Sequence, residues 1–368
     1  MSSRRIEPLS IIYRRLVCGL FAAITTLSPF PLMACSGALW DGPQIFGIHV
    51  NPKNPQFVYV TGRDRLFRSA DRGITWVSLT PSSHGLLAFA FDTDMPSTIY
   101  VSSELGFVKS IDAGNTWTQV ERPRKTKSLV SHRRLTQIAV NPANSKRVVV
   151  GSGDSIFFSN DAGDSWQQAQ VLAAPRLFGV TSISFDPNSR DLVYAGSYTG
   201  VLISRDGGEK WELFAENPPS PRVLGSYTPY KSIAIPNQRN EFYALGAYGL
   251  MKTSGDLNTW KILERYCGVF SPGPFAIAHS NSSVIYAACS WMGAGHHGLC
   301  TQGAILEKSM DGGSSWTQIG ERIELDIGAA IAIDPLHPNV VYASRSRGDI
   351  YQSNDSGKTW VRRRLPAS

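Results

Sequence analysis

Carboxylates held at a fixed distance from a tryptophan are the first chemical feature of this sequence. Seven segments share one pattern: SADRGITW (69–76), SIDAGNTW (110–117), SNDAGDSW (159–166), SRDGGEKW (204–211), TSGDLNTW (253–260), SMDGGSSW (309–316) and SNDSGKTW (353–360). Six of them carry an aspartate, at Asp71, Asp112, Asp161, Asp206, Asp311 and Asp355; the fifth has Gly255 there, and Leu257 in place of the glycine. A carboxylate that opens a tight turn accepts the turn's own backbone N–H groups. The glycine supplies a position with φ > 0, the Ser and Thr hydroxyls bond local backbone, and the Trp offers a large apolar face to a neighbour. That chemistry is architectural, so these six aspartates are expected to build turns and not to catalyse.

Reactive or binding chemistry must come from other residues. Asp64, Glu104, Asp154 and Asp349 are the carboxylates in the turns between the second and third strands of their repeats, and glycoside hydrolysis needs two carboxylates about 5–9.5 Å apart. The segment 121–134 sets Arg122, Arg124, Lys125, Lys127, Arg133 and Arg134 against Glu121, which suits an anion or an acidic partner. Arg63, Arg65, Arg345 and Arg347 add cations, and Tyr198, Tyr227, Tyr230, Tyr248 and Trp291 add aromatic surfaces for binding. His296, His297 and Cys300 lie together near Cys289 and Cys267, but adjacent histidines point apart and no Cys-x-x-Cys or His-x-x-x-His spacing fixes a tetrahedron. No metal is expected there. Cys289–Cys300 would clip an 11-residue loop, contributing ~3 kcal/mol by loop closure, and Cys267–Cys300 is the alternative pairing. The chain has no nucleophile elbow, phosphate loop or dinucleotide fingerprint, so no cofactor is expected.

The elements that carry these residues repeat with the motif. An alternating strand ends near Asn/Asp-Pro (IFGIHVNP, IAVNP, ISFDP, IAIDP), and a second apolar strand follows (FVYV, TIYV, RVVV, LVYA, VIYA, VVYA). A third strand runs into the motif and a fourth leaves it from the Trp. Four short period-2 strands per repeat are the signature of a propeller blade. Residues 45–368 number 324, about 46 for each of seven blades, which leaves nothing for a second domain. The expected fold class is all-β: a single seven-bladed β-propeller of four-stranded antiparallel blades.

Composition agrees with a folded chain, at 42% hydrophobic and 18% charged residues over 368 positions. Residues 1–34 read as a signal peptide: Arg4, Arg5, Arg14 and Arg15, then the apolar run LVCGLFAAITTL (16–27), then Pro29 and Pro31. Leu32-Met33-Ala34-Cys35-Ser36 resembles the bacterial lipoprotein box, making Cys35 a lipidation candidate, with ordinary cleavage near Ala34–Ala38 as the alternative. The protein is therefore expected to be exported, periplasmic or at the cell surface. Loss of the leader lowers the formal net charge from +7 to about +4, too little for a nucleic-acid partner. Residues 35–44 are expected to be a linker or ring-closing segment; SGALWDGPQ (36–44) and LPAS (365–368) are the spare pieces, with Trp40 packing at the closure.

The repeated motif resembles the Asp-box, or BNR, repeat of sialidases, xyloglucanase-type glycoside hydrolases, sortilin-like receptors and photosystem II assembly factors. The resemblance covers essentially all of 45–368 and implies that the boxes lie opposite the active or binding face. The sialidase Arg-Ile-Pro element is absent ahead of the first box, where RDRLFRSADRG (63–73) stands. The xyloglucanase-type Thr-Asp-Ile-Gly-Gly stretch is not reproduced in VTGRDRLFR (60–68), and that family usually has two propellers. The sortilin-like family has ten blades and a cysteine-rich module, which this length does not accommodate. The architecture is most similar to the assembly factors, which implies a non-enzymatic protein with a positively charged face that holds a partner polypeptide. The expected function is thus an exported binding or scaffold protein at the cell envelope, recognising a protein or glycan through the face opposite the boxes. It is expected to be a monomer, touching a membrane only through a lipid anchor. The alternative is a glycoside hydrolase or glycan-binding protein of the sialidase/xyloglucanase-like superfamily.

Overall fold

The computed structural model describes residues 44–366 apart from 64, 80–85, 104–106, 121–134, 173–178, 199, 217–231, 235–240, 247–248, 255–260, 264–271, 291–303, 321–322, 324–329 and 346–347. The leader, Cys35 and Trp40 lie outside these. The described strands form seven sheets, one for each repeat. Blade one runs Ile45–Val50, Val58–Gly62, Leu66–Ser69 and Val77–Leu79 across its sheet, each strand antiparallel to the next. Blade seven repeats that order with Ile331–Ile333, Val341–Ser344, Asp349–Ser353 and Val361–Arg364.

The second strand of each blade has an apolar centre because both of its faces are covered. Val58, Tyr59 and Val60 are all fully buried. Successive side chains point to opposite sides of a sheet, and the packing follows that period. Val58 and Val60 pack with Ala330, Ala332 and Tyr342 of blade seven, whereas Tyr59 packs with Leu86, Ile99 and Val101 of blade two. Val148 and Val150 likewise join blade two, and Val149 joins blade four. Each blade is thus a double-sided wedge in the ring.

The turn between third and fourth strands sets the wedges against one another. Asp71 Oδ1 accepts the amides of Ile74 and Thr75 at 3.0 and 2.8 Å and the Ser69 hydroxyl at 2.7 Å, while Thr75 Oγ1 donates to its other oxygen. The next residue is left-handed although it is not glycine at Arg72, Ala113, Ala162 (φ 60° each) and Ser356 (63°). The glycine after it is left-handed as well. This double inversion turns the Arg72, Ala113 and Ala162 carbonyls toward the preceding blade. There the tyrosine of the second strand donates to them: Tyr342 to Arg72 at 3.0 Å, Tyr59 to Ala113 at 3.0 Å and Tyr100 to Ala162 at 3.3 Å. Blade three has Val149 at that position, and Arg147 takes over, its Nε donating to Gly207 O at 2.7 Å. The box Trp completes the contact, with Nε1 of Trp76 and Trp211 donating to Gly73 O and Gly208 O at 3.0 and 2.9 Å.

Ring closure uses the same parts. The core between blades seven and one gathers Ile45, Ile48, Val58, Phe67 and Trp76 with Tyr342, Ile350 and Leu365. Among the described residues no strand is exchanged between these two sheets. One exchange does occur elsewhere: after Gln167–Gln168 closes blade three, Gln170–Val171 pairs in parallel with Lys210–Trp211 and adds a fifth strand to blade four.

The box glycines are doubly constrained, by φ and by space. A Cβ on Gly357 (φ 90°) would lie 2.5 Å from Ile319 Cδ1 of blade six. Gly357→Ala is expected to lower the unfolding free energy by about 1–3 kcal/mol, measured by denaturant titration. The box carboxylates also make stability depend on acid. Hydroxyl donation from Thr116, Ser315 and Thr359, with the turn amides, holds Asp112, Asp311 and Asp355 down at about 2. Their stabilisation is complete above the ordinary value of 3.8 and disappears as pH falls toward about 2. The melting temperature should therefore drop across that window, and the slope should be shallower in Asp112→Asn and Asp355→Asn; equal slopes would contradict the assignment.

Candidate functional site

Two faces follow from this topology. First-to-second strand turns and box turns share one face; second-to-third and fourth-to-first connections share the other. The first of these is laced by side chains across blades. Asn51 Nδ2 donates to Pro96 O at 2.7 Å, Asn141 Nδ2 to Arg190 O at 2.6 Å, and Ser145 Oγ to Asp92 Oδ1 at 2.6 Å. All six box aspartates accept bonds from Ser, Thr or amide groups of their own turns.

On the opposite face, blade one presents Arg63 and Arg65 from a turn closed by Gly62 N donating to Arg65 O at 2.8 Å. The Arg63 backbone links three elements: its amide donates to Gln44 O, and its carbonyl accepts from Leu86 N of blade two. Arg63 is exposed and Arg65 half-buried. Blade seven, the neighbour across the closure, presents Arg345, whose amide donates to Asp349 O at 2.9 Å. Three cations of the sequence reading thus occupy one face of two adjoining blades.

Asp349 takes a different place from that of a poised acid. It is buried, and its Oδ1 receives Nε and Nη2 of Arg362 at 2.8 and 2.7 Å. Arg362 lies on the outermost strand, so this carboxylate is turned along its own blade. Asp154 sits in the two-residue turn that joins Asn144–Ser152 to Ser155–Ser159 in blade three, half-buried, with Ser155 Oγ 3.4 Å from its Oδ1. Blade four adds Tyr198, 41% exposed, whose ring lies against the left-handed Gly179; a Cβ there would be 2.5 Å from Tyr198 Cδ2.

The innermost strands carry a feature that the sequence reading missed. Their ends at this face slip register between Ile45 and Gly47, Leu86 and Ala88, and Val180 and Ser182. Each β-bulge re-aims a side chain, and Phe46 is left 52% exposed. Gly47 marks the blade-one bulge: a Cβ there would sit 2.7 Å from His49 Nε2 and 2.9 Å from Thr61 Oγ1. His49 bonds Thr61 at 3.2 Å and stacks on Phe89 with centroids 4.4 Å apart. Burial pushes its imidazole down to about 4, so it is neutral at physiological pH.

The other candidates lie outside the described residues: Asp64, Glu104, Arg122, Arg124, Lys125, Lys127, Arg133, Arg134, Tyr227, Tyr230, Tyr248, Trp291, Arg347, Cys267 and Cys300, with Cys289 placed only by its backbone in Ile285–Ser290. Among the described residues no group of three His, Cys, Asp or Glu side chains is placed to hold a metal. No described helix is long and apolar enough to cross a membrane.

Comparison with known proteins agrees with this geometry. A family model described as "Sortilin, neurotensin receptor 3" matches residues 106–227, a third of the chain. No curated protein matches the sequence. Among solved structures, a GH74 xyloglucanase from Xanthomonas campestris is 19% identical with a TM-score of 0.68, over 87% of this chain and 53% of that one. YCF48 bound to D1 peptide is 14% identical with a TM-score of 0.58, over 86% and 94%. The extracellular domain of a one-component system from B. thetaiotaomicron is 13% identical with a TM-score of 0.59, over 86% and 39%. This chain spans about half the length of the xyloglucanase, and at such identities what it shares with these proteins is the propeller fold.

The Asp349–Arg362 pair gives a direct test of its role. Asp349→Asn is expected to lower the unfolding free energy by about 1–2 kcal/mol, because Arg362 is half exposed and its loss is partly screened. Arg362→Gln should account for most of the same loss in a double-mutant cycle; additive effects would show that the pair does not act as one.

Proposed function

We propose that this protein is an exported, partner-binding β-propeller that works at the cell envelope through the face opposite its box turns. The observation that carries the reading is the grouping of cations on that face. Among the described residues, Arg63, Arg65 and Arg345 occupy turns of two adjoining blades, and Asp349 pairs along its own blade with Arg362. A cationic sector of this kind recognises an acidic polypeptide by charge-assisted hydrogen bonds and steers its approach. Similarity to YCF48 bound to D1 peptide supports a peptide partner, and similarity to an extracellular domain supports export. Cys35 as a lipid anchor belongs to the same reading.

A carbohydrate reading has one specific observation behind it. Tyr198, 41% exposed beside Gly179, offers an aromatic surface on which a sugar ring can stack, and the xyloglucanase shares the fold.

The deciding experiment has two arms. Purified protein is used to capture partners from envelope extract, with the Arg63→Ala, Arg65→Ala, Arg345→Ala triple variant alongside. A single polypeptide retained by the parent and lost at least about tenfold from the triple variant is the expected result. In parallel, a panel of chromogenic glycosides is assayed. Turnover abolished by Asp154→Asn would overturn the binding-protein reading in favour of a hydrolase.

A further inference from the structure

The outer edges of the blades are not alike. Fourth strands end every described sheet but that of blade four, and those in blades one, two, three, five and six are two or three residues long. Two are longer. Lys210–Glu216 in blade four has seven residues, and the added parallel strand Gln170–Val171 covers part of it, with Gln170 N donating to Glu209 O and Leu172 N to Trp211 O, both at 2.8 Å. Val361–Arg364 in blade seven has four, and among the described residues no strand pairs with its outer side. Of the described residues at the exit of blade six, Gly320 and Ile323 lie in no strand; Ile323 N donates to Gly320 O, and Ile323 is buried in the core.

Charge makes the open edge selective. It carries Arg362, Arg363 and Arg364 in succession, and side chains alternate across a strand, so Arg362 and Arg364 share one side. Arginine on an edge ordinarily keeps strands of other chains away. Here two of the three guanidiniums are drawn back onto their own blade, Arg362 to Asp349 and Arg363 to Gln352 Oε1. Among the described residues they leave the backbone edge without a paired strand, and they line it with positive charge.

We propose that an extended acidic segment of a partner protein adds to Val361–Arg364 as a fifth strand of blade seven, as Gln170–Val171 does in blade four. Main-chain hydrogen bonds would give such a complex its affinity, and carboxylates facing Arg364 and the exposed half of Arg362 would give it its charge preference. This edge lies on the outermost strand of the ring, and the inference does not depend on the partner proposed for the cationic face.

The test uses the full chain and a fluorescent ten-residue peptide of alternating glutamate and valine, read by anisotropy. Binding is expected to weaken at least about tenfold in Arg364→Glu, and binding of the parent to weaken on adding salt. A peptide N-methylated at every residue keeps the charge and cannot donate a backbone bond from either edge, so it is expected not to bind. Hydrogen exchange at residues 361–364 should slow in the complex. The Arg63→Ala, Arg65→Ala, Arg345→Ala variant should bind the peptide like the parent, which separates this edge from the cationic face. Equal binding of the methylated peptide, or of Arg364→Glu, would overturn strand addition, as would no binding at all.

Discussion

One backbone carbonyl, that of the residue after each box aspartate, organises much of the ring. It is aimed at the preceding blade because two consecutive residues are left-handed, and the aspartate holds them so by accepting the amides of its own turn. The donor that meets it is a tyrosine in three observed cases, Tyr59, Tyr100 and Tyr342, and an arginine in another, Arg147. Since the last of the tyrosines bonds back to blade one, closure is one more copy of a repeated contact. A hydrogen bond of this kind contributes only about 1 kcal/mol net. Its effect comes from repetition and from being made beside buried Trp and Val side chains that exclude water.

This economy has a functional consequence. The box carboxylates, Asn51, Asp92 and Asn141 of the first turns, and the indole N–H groups of Trp76, Trp211, Trp316 and Trp360 all have partners within the frame, so much of the fixed polar chemistry on that face is already committed. On the other face the turns are closed by backbone bonds, such as Gly62 to Arg65 and Arg345 to Asp349, which do not prescribe one side-chain type at each position as the boxes do. The same frame can therefore serve a xyloglucanase and a peptide-bound YCF48.

Much of the frame was legible in the sequence because it is written seven times. The period, the four strands per repeat, the apolar centre of the second strand and the Trp against a neighbouring wedge all follow from residue types. The second left-handed position was not legible, since Arg72, Ala113, Ala162 and Ser356 have no type in common, and it is the turn's bonds to the aspartate and the contact with the neighbouring blade that hold them there. Gln170–Val171 was hidden for a similar reason: QQAQV reads as one fourth strand, and its transfer to blade four shows only in the pairing. Asp349 stood out as a free carboxylate because its partner is 13 residues away, brought near by the register that sets Tyr351 opposite Arg362. The innermost bulges had Gly47 as their one signal, and a lone glycine in a strand has several explanations.

The most direct measurement is native-state hydrogen exchange on the box turns. The amides of Gly73, Gly114, Gly163, Gly208, Gly313 and Gly357 each donate to a buried serine hydroxyl at 2.7–2.8 Å. If these turns hold the ring together, their amides should exchange only with global unfolding, all six with the same free energy. Exchange well ahead of unfolding, at several of these glycines, would show that the blades stay assembled without the boxes and would contradict the account.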